Sequence, residues 1–173
     1  MLSGDVYHFG YQWRVQGPIE TVYHYVSDAR TFLDWFPAFK DVHADESVGP
    51  LHVGSHCTAH VTAVLPYALD WDITITRYQP PRLLETDVHL SLNGRFGMRG
   101  YVRYRFEPLP GNLILVTNEQ ELAAERPLPR LLHPLAQAAF AFNHDWAMRQ
   151  AAAPLQAIVR YGPYGRQSAP VPA

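Results

Sequence analysis

Histidine is the side chain best suited to proton transfer near neutral pH, and the chain contains 9 histidines. His144 stands out because it lies between Asn143 and Asp145, two residues before Trp146, in a segment with helical spacing. If Asn143 and His144 border an internal space, His144 could act there as a general acid or base. The alternative is a histidine at the flank of the helix that bonds to a neighbouring backbone group or carboxylate.

A second pair of histidines, His56 and His60, has a four-residue spacing that would join two metal ligands on a helix. The pair falls instead in a strand pattern, where four residues extend roughly 13 Å, too far for one zinc ion. The single cysteine, Cys57, excludes both an internal disulfide and a cysteine-based zinc cluster. We therefore expect solvated histidines, a core position for Cys57, no metal and no cofactor.

Two groups of charged residues also have simpler explanations than catalysis. Asp70 and Asp72 share the strand face opposite the apolar one, which disfavours a paired-carboxylate glycosidase site. Arginines follow one predicted hairpin strand, and the last three share an outward face: Arg95, Arg99, Arg103 and Arg105. This arginine stripe could meet an anionic partner, but Glu85 and Asp87 across the hairpin are expected to offset it.

Composition limits the possible classes of protein. Of the 173 residues, 47% are hydrophobic and 17% charged, so the chain can bury a large core and is not disordered. A net charge of −2 argues against nucleic-acid binding. No apolar run is long enough to span a bilayer and no signal peptide is visible, so we expect a cytoplasmic protein. Residues 1–160 are expected to form one domain, and residues 161–173 a flexible tail.

The pattern of hydrophobic residues predicts the elements that position these side chains. Residues 6–16 alternate as a strand with an aromatic inner face, and two short helices follow before Pro37. Six further strands are predicted at 39–46, 54–65, 69–76, 84–92, 96–106 and 113–122. Asn93-Gly94 predicts a type I′ hairpin, and Gly100 in the next strand suggests a bulge or bend.

The inward face of the last strand is ambiguous, because either Asn118 and Gln120 or Glu119 and Glu121 can point inward. We place Asn118 and Gln120 inside, since burying unpaired carboxylates costs far more free energy than burying amides that find partners.

The only long helical pattern covers residues 128–159, and Pro134 near its start should kink or delay the helix. Its large apolar residues form one stripe: Leu128, Leu132, Leu135, Ala139, Phe142 and Trp146. The order of elements predicts an α+β fold in which a curved antiparallel sheet grips this helix. The space between sheet and helix would be apolar, as in a small-molecule pocket.

From Tyr7 to Val159 the sequence resembles the START-like superfamily (SRPBCC, the birch-pollen-allergen type), in its polyketide cyclase/dehydrase-like branch. The resemblance rests on the order of motifs such as Gly17-Pro18-Ile19-Glu20, Trp35-Phe36-Pro37 and Leu92-Asn93-Gly94. It implies the helix-grip fold, with about seven strands around a long C-terminal helix and two short helices after the first strand. It also implies a deep cavity for a lipid, polyketide, sterol-like or aromatic ligand. The superfamily has no universal catalytic motif, so the chemistry stays open.

The candidate ligand contacts are the residues expected to face that space: Trp35, Phe36, Leu65, Tyr67, Trp71, Ile73, Val88, Leu90, Met98, Tyr104, Asn118, Gln120, Leu132, Leu135, Phe142, Asn143 and Trp146. Binding of a small hydrophobic molecule by a monomer or homodimer is the first hypothesis. The second is a cyclase, aromatase or dehydratase in which Tyr104, Asn118, Gln120 or His144 moves protons. The third, an interaction module that binds membrane or respiratory components, is supported only by the arginine stripe.

Overall fold

The computed structural model describes residues 6–45, 49–65, 67–94, 96–126 and 132–163. Its strands are β1 (Val6–Gln16), β2 (Phe39–Ala44), β3 (His56–Thr62), β4 (Ala68–Gln79), β5 (Leu83–Leu92), β6 (Phe96–Leu109) and β7 (Leu113–Ala124). Its helices are α1 (Ile19–Ser27), a 3₁₀ turn (Ala29–Thr31), α2 (Phe32–Trp35) and α3 (His133–Tyr161).

All strands join one curved antiparallel sheet in the order β1-β7-β6-β5-β4-β3-β2. The two edges, β1 and β2, are neighbours in sequence, so α1 and α2 carry the chain from one edge to the other. The long helix α3 packs across the sheet. The α+β class and the helix-grip arrangement are thus confirmed.

The turn at Asn93-Gly94 has the predicted conformation, with φ of 48° at Asn93 and 67° at Gly94. Asn93 Oδ1 also accepts a hydrogen bond from Ala68 N at 2.9 Å, which ties the turn to β4. The prediction of a bulge at Gly100 is wrong, because the pairing register of β6 with β5 and with β7 is continuous through this residue. Gly100 is needed instead because a Cβ there would overlap the backbone carbonyl of Glu121.

Strand β7 confirms the choice of inward face. Asn118 and Gln120 are buried. Glu119 lies outside and forms ion pairs with Arg103 and Arg105 at 3.5 and 2.8 Å. The amides rather than the carboxylates therefore enter the core, as their desolvation costs dictate.

The predicted inner face of α3 needs correction. Leu132, Leu135 and Phe142 are 48%, 69% and 57% exposed, so they do not face the sheet. The buried face carries a different set, which includes one amide and two alanines: Asn143, Ala147, Met148, Ala151, Leu155, Ile158 and Val159. Small side chains let the helix approach β1 closely enough for Trp13 Nε1 to donate to Met148 O at 2.9 Å. Pro134 lies in the first turn of α3, where proline fits, and Leu128 lies outside the described residues.

Candidate functional site: an internal cavity

A cavity of about 140 Å³ lies between the concave face of the sheet, α3 and the segment after α1. This volume is similar to that of engineered apolar cavities of ~150 Å³ that hold benzene. Most of the wall is apolar, with aromatic rings from several elements: Phe9, Phe36, Phe39, Trp71 and Phe140.

The strands bring most of their predicted ligand contacts to this wall. The contributing strand residues are Trp71, Ile73, Val88, Leu90, Met98, Tyr104 and Gln120. Phe36, Tyr67 and Asn143 join them from the segment after α2, the loop after β3, and α3.

The other predicted contacts do not line the cavity. Trp35 is 1% exposed and belongs to the core, where its Nε1 donates to Tyr25 O at 3.0 Å. Leu65, Asn118 and Trp146 are not among the lining residues either, and Leu132, Leu135 and Phe142 are exposed to solvent.

Polar groups meet at one part of the wall, where α3 crosses β7. Asn118 is fully buried, and its Oδ1 accepts hydrogen bonds from Gln120 Nε2 at 3.1 Å and from His144 Nε2 at 3.3 Å. A carboxamide oxygen accepts but does not donate, so this contact assigns the proton of neutral His144 to Nε2. Tyr104 is directly opposite Asn118 on β6.

His144 is neutral at pH 7 in this environment. Burial lowers its pKa, and Asp145, whose Oδ1 lies 3.6 Å from His144 Nδ1, offsets this only in part. The imidazole also stacks on Phe9, with ring centroids 5.3 Å apart. A neutral imidazole held in this way can exchange a proton with a ligand at neutral pH.

The two cavity tyrosines stay protonated. Burial raises the pKa of Tyr104 far above its ordinary value, and a hydrogen-bond contribution from Asn118 offsets only part of that rise. Burial likewise raises the pKa of Tyr67 to about 12, against a smaller lowering by Asn143. Both phenols can therefore donate hydrogen bonds to a ligand.

Cys57 lines the cavity but provides no nucleophile. Burial raises the pKa of its thiol to about 12, with smaller contributions from nearby carboxylates, Asp72 first. The thiolate is the reactive form, so Cys57 behaves as a small core residue, in agreement with the sequence analysis.

A partly buried ion pair lies at another part of the wall, which sequence reasoning missed. The Asp28 carboxylate accepts from Arg30 Nε at 2.8 Å and from Nη2 at 2.6 Å. It also caps the 3₁₀ turn by accepting from Arg30 N at 3.0 Å. The signal that the sequence offered is an arginine two residues after an aspartate that precedes a short helix.

The outer face of the sheet holds the remaining candidate groups. His56 pairs with Asp45 and Asp72 at 2.7 and 3.2 Å, and His60 pairs with Asp70 at 2.8 Å. These histidines therefore contact carboxylates within hydrogen-bond distance rather than being simply solvated. Within the described ranges, no group of three or more histidine, cysteine or acidic residues is arranged to hold a metal ion.

The arginine stripe is largely neutralised by carboxylates. Arg99 pairs with Glu125 at 2.7 Å and Arg103 with Glu85 at 2.6 Å, in addition to the pairs with Glu119. Glu85 therefore offsets the positive charge of the stripe as expected, and Glu119 and Glu125 form further ion pairs with its arginines. Arg95 lies outside the described residues.

Comparisons with known proteins place this geometry in a family. In structure, the chain is similar to the Zhui aromatase/cyclase from Streptomyces sp. R1128, with a TM-score of 0.68, 13% identity, and coverage of 90% of this chain and 97% of that one. It is also similar to a START superfamily protein from Mycobacterium smegmatis, with a TM-score of 0.63, 15% identity, and coverage of 88% and 97%. At these identities the likeness shows the fold alone. None of the curated proteins matches in sequence.

No helix in the described part of the chain is long and apolar enough to cross a membrane. Residues 9–157 match the family described as "Polyketide cyclase / dehydrase and lipid transport". The chain therefore belongs to this family.

Proposed function

We propose that the protein binds a small, uncharged hydrophobic molecule that carries at least one hydrogen-bond-accepting oxygen. One observation carries the proposal: a largely aromatic and aliphatic cavity whose wall includes the polar side chains of Tyr104, Gln120 and His144, the last two bonded to buried Asn118. A cavity with apolar walls and a few placed polar groups is the usual form of a small-molecule site.

Charge at the wall favours an uncharged ligand. Asp28 and Arg30 neutralise each other through two hydrogen bonds, and His144 is neutral at pH 7 because burial lowers its pKa. A carboxylate in this cavity would lose its hydration without gaining a free cation among the described lining residues.

Hydrogen-bond donors at the wall favour an acceptor oxygen on the ligand. Tyr104 keeps its phenolic proton because burial raises its pKa. The buried Nε1 of Trp71, another cavity residue, has no hydrogen-bond partner among the described residues. Because a buried donor without a partner is costly, a carbonyl or ether oxygen would improve the energy of the site.

Three monocyclic probes of similar shape test the proposal: acetophenone, isopropylbenzene and benzoate, each titrated by NMR at pH 7. We expect acetophenone to bind about three- to tenfold tighter than isopropylbenzene, the gain from one net hydrogen bond. Benzoate should bind at least roughly tenfold more weakly than acetophenone, because its charge is buried without a partner.

A pair of variants connects the preference to the site. Tyr104→Phe should remove the advantage of acetophenone over isopropylbenzene. The control is Tyr101→Phe, on the outer face of the same strand beneath Arg103, which should keep that advantage. Failure of all three probes to bind would contradict the proposal. If benzoate binds as tightly as acetophenone, the inference that the ligand is uncharged is wrong.

A second candidate function is an enzyme of the cyclase, aromatase or dehydratase type. It is favoured by the hydrogen bond from His144 to Asn118, which fixes a neutral imidazole at the cavity wall near Tyr104. His144 Nδ1 would remove a proton from the carbon next to a ligand carbonyl while Tyr104 donates to the carbonyl oxygen.

Exchange of the methyl protons of acetophenone for deuterium in D₂O reports this proton abstraction directly. If the enzyme hypothesis holds, the protein accelerates exchange, His144→Gln abolishes the acceleration, and His60→Gln on the outer face does not. If exchange is no faster than in buffer alone, the enzyme hypothesis is wrong, but the ligand-binding proposal is not affected.

A further inference from the structure

We propose that Thr86 determines which ligands the cavity prefers, by accepting a hydrogen bond from a hydroxyl group on the ligand. The inference rests on the proposed function, because it concerns the same cavity. It narrows the ligand to small carbonyl compounds that also carry a free hydroxyl group. The sequence analysis did not include Thr86 among the expected ligand contacts.

Thr86 is a polar side chain in an apolar row of the cavity wall. It is 6% exposed and lies between Leu84 and Val88 on the inner face of β5, and all three residues line the cavity. Valine has nearly the same shape as threonine and would avoid the cost of burying a hydroxyl group. The packing of β5 therefore does not by itself require threonine at this position.

The hydroxyl group of Thr86 has a single, long hydrogen bond within the protein. Its Oγ1 donates to Val102 O on the neighbouring strand β6 at 3.3 Å, beyond the usual range of about 2.5–3.0 Å for such bonds. The proton is used in this bond, so only the lone pairs of Oγ1 are left for a ligand. No described residue donates to them. Thr86 therefore presents an acceptor to the cavity.

Tyr104, the phenolic donor of the wall, lies close enough to Thr86 for one small molecule to contact both. Thr86 is paired with Val102 across β5 and β6, and Tyr104 is two residues farther along β6 on the same face. Diagonal neighbours of this kind are about 7–8 Å apart in an antiparallel sheet. A monocyclic ligand can thus accept from Tyr104 through its carbonyl and donate to Thr86 through its hydroxyl.

Two other uncharged polar side chains of the wall do not distinguish a hydroxyl group in this way. Ser55 Oγ already accepts from His52 N at 3.1 Å and lies 3.2 Å from His52 Nδ1. Gln120 donates one amide proton to Asn118 and keeps both a second proton and its carbonyl oxygen, so it suits a donor and an acceptor equally. The preference for a hydroxyl group over an ether therefore depends on Thr86.

Substituted acetophenones test the inference by NMR titration at pH 7. The set contains acetophenone, its meta-hydroxy and para-hydroxy derivatives, and the methyl ether of each derivative. We expect at least one hydroxy derivative to bind about three- to tenfold tighter than acetophenone, the gain from one net hydrogen bond. Its methyl ether should lose this gain, because an ether oxygen cannot donate a hydrogen bond.

Threonine variants connect the gain to one side chain. Thr86→Val should bind acetophenone but remove the advantage of the hydroxy derivative, whereas Thr86→Ser should keep the advantage because serine retains the hydroxyl group. Thr76→Val is the matched control and should behave like the wild type. Thr76 also donates to a carbonyl of the neighbouring strand, Glu85 O at 3.2 Å, but it is exposed on the outer face. Circular dichroism should show an unchanged fold for all three variants.

Three results would overturn the inference while acetophenone itself still binds and the proposed function stands. Neither hydroxy derivative binds tighter than acetophenone, or the methyl ether binds as tightly as its parent phenol, or Thr86→Val keeps the advantage of the hydroxy derivative. If no compound of the set binds, the inference and the proposed function are both wrong.

Discussion

His144 Nε2 lies 3.3 Å from Asn118 Oδ1, so a hydrogen bond joins α3 to β7 at the wall of the cavity. The same oxygen accepts from Gln120 Nε2 at 3.1 Å, and one fully buried amide thus organises two polar neighbours. Because a buried amide oxygen that already accepts two bonds cannot be rehydrated cheaply, this contact fixes both the tautomer and the orientation of His144.

The pKa of His144 should lie below the ordinary histidine value of 6.5, because burial outweighs the opposing effect of Asp145. Asp145→Asn should lower it further by removing that opposing charge. NMR titration of the imidazole resonances measures both values. His56 is an internal reference: hydrogen bonds to Asp45 and Asp72 outweigh its burial and raise its pKa. A His144 pKa above 6.5 would contradict the described environment.

Protonation of His144 should destabilise the fold in acid. Since its folded pKa lies below the unfolded value, the unfolded chain binds more protons between those two values. The contribution of His144 is therefore complete above about pH 6.5 and is lost as the pH falls towards the folded pKa. Urea unfolding of wild type and His144→Gln from pH 7.5 to 5 isolates the effect. Parallel curves for the two proteins would refute it.

Asn118→Ala should lower the free energy of unfolding by about 2 kcal/mol, because it leaves the side chains of Gln120 and His144 without their shared acceptor. Thr117→Ala is the control: Thr117 lies on the other face of β7, where Oγ1 accepts from Gln12 in an exposed hydrogen bond, and should cost within about 0.5 kcal/mol. Chemical denaturation measures both, and equal small losses would show that the buried amide is not needed.

The strands could be predicted well from the sequence. Side chains in a strand alternate between two faces, and the positions of the charged residues show which face points away from the core. On β7, the high cost of burying Glu119 and Glu121 was enough to place Asn118 and Gln120 inside. The helix α3 was harder. Its large residues Leu135 and Phe142 suggested the inner face, but close packing against β1 selects alanines.

The residues of the candidate site could likewise be predicted only in part. Strand residues such as Val88 and Met98 were expected at the wall, and alternation places them there. Phe9, on the aromatic inner face predicted for β1, was not among the expected cavity residues, since a pattern within one strand does not show what faces it across the fold. The ion pair of Asp28 and Arg30 needed knowledge of how the turn after α1 folds.

Arg30→Met should destabilise the protein by about 3 kcal/mol, because it leaves the Asp28 carboxylate, 6% exposed, without its cation. The double variant Asp28→Asn with Arg30→Met should recover much of that loss, since asparagine keeps the cap without the charge. Thermal or urea unfolding compares the three proteins. A double variant less stable than Arg30→Met would mean that loss of charge compensation is not the cause.

Gly100→Ala should destabilise the sheet by roughly 1–3 kcal/mol, in line with other overpacking substitutions. A Cβ at this position overlaps the carbonyl of Glu121, which is backbone and cannot rotate away, so β6 and β7 must separate locally. Gly10→Ala is a matched control in β1, where the nearest atom to a Cβ is Asn118 O at 3.7 Å, an ordinary contact. Urea unfolding should therefore show a clear loss for Gly100→Ala alone. If the two variants unfold at the same urea concentration, the close approach of the β7 backbone does not explain why β6 has a glycine at this position.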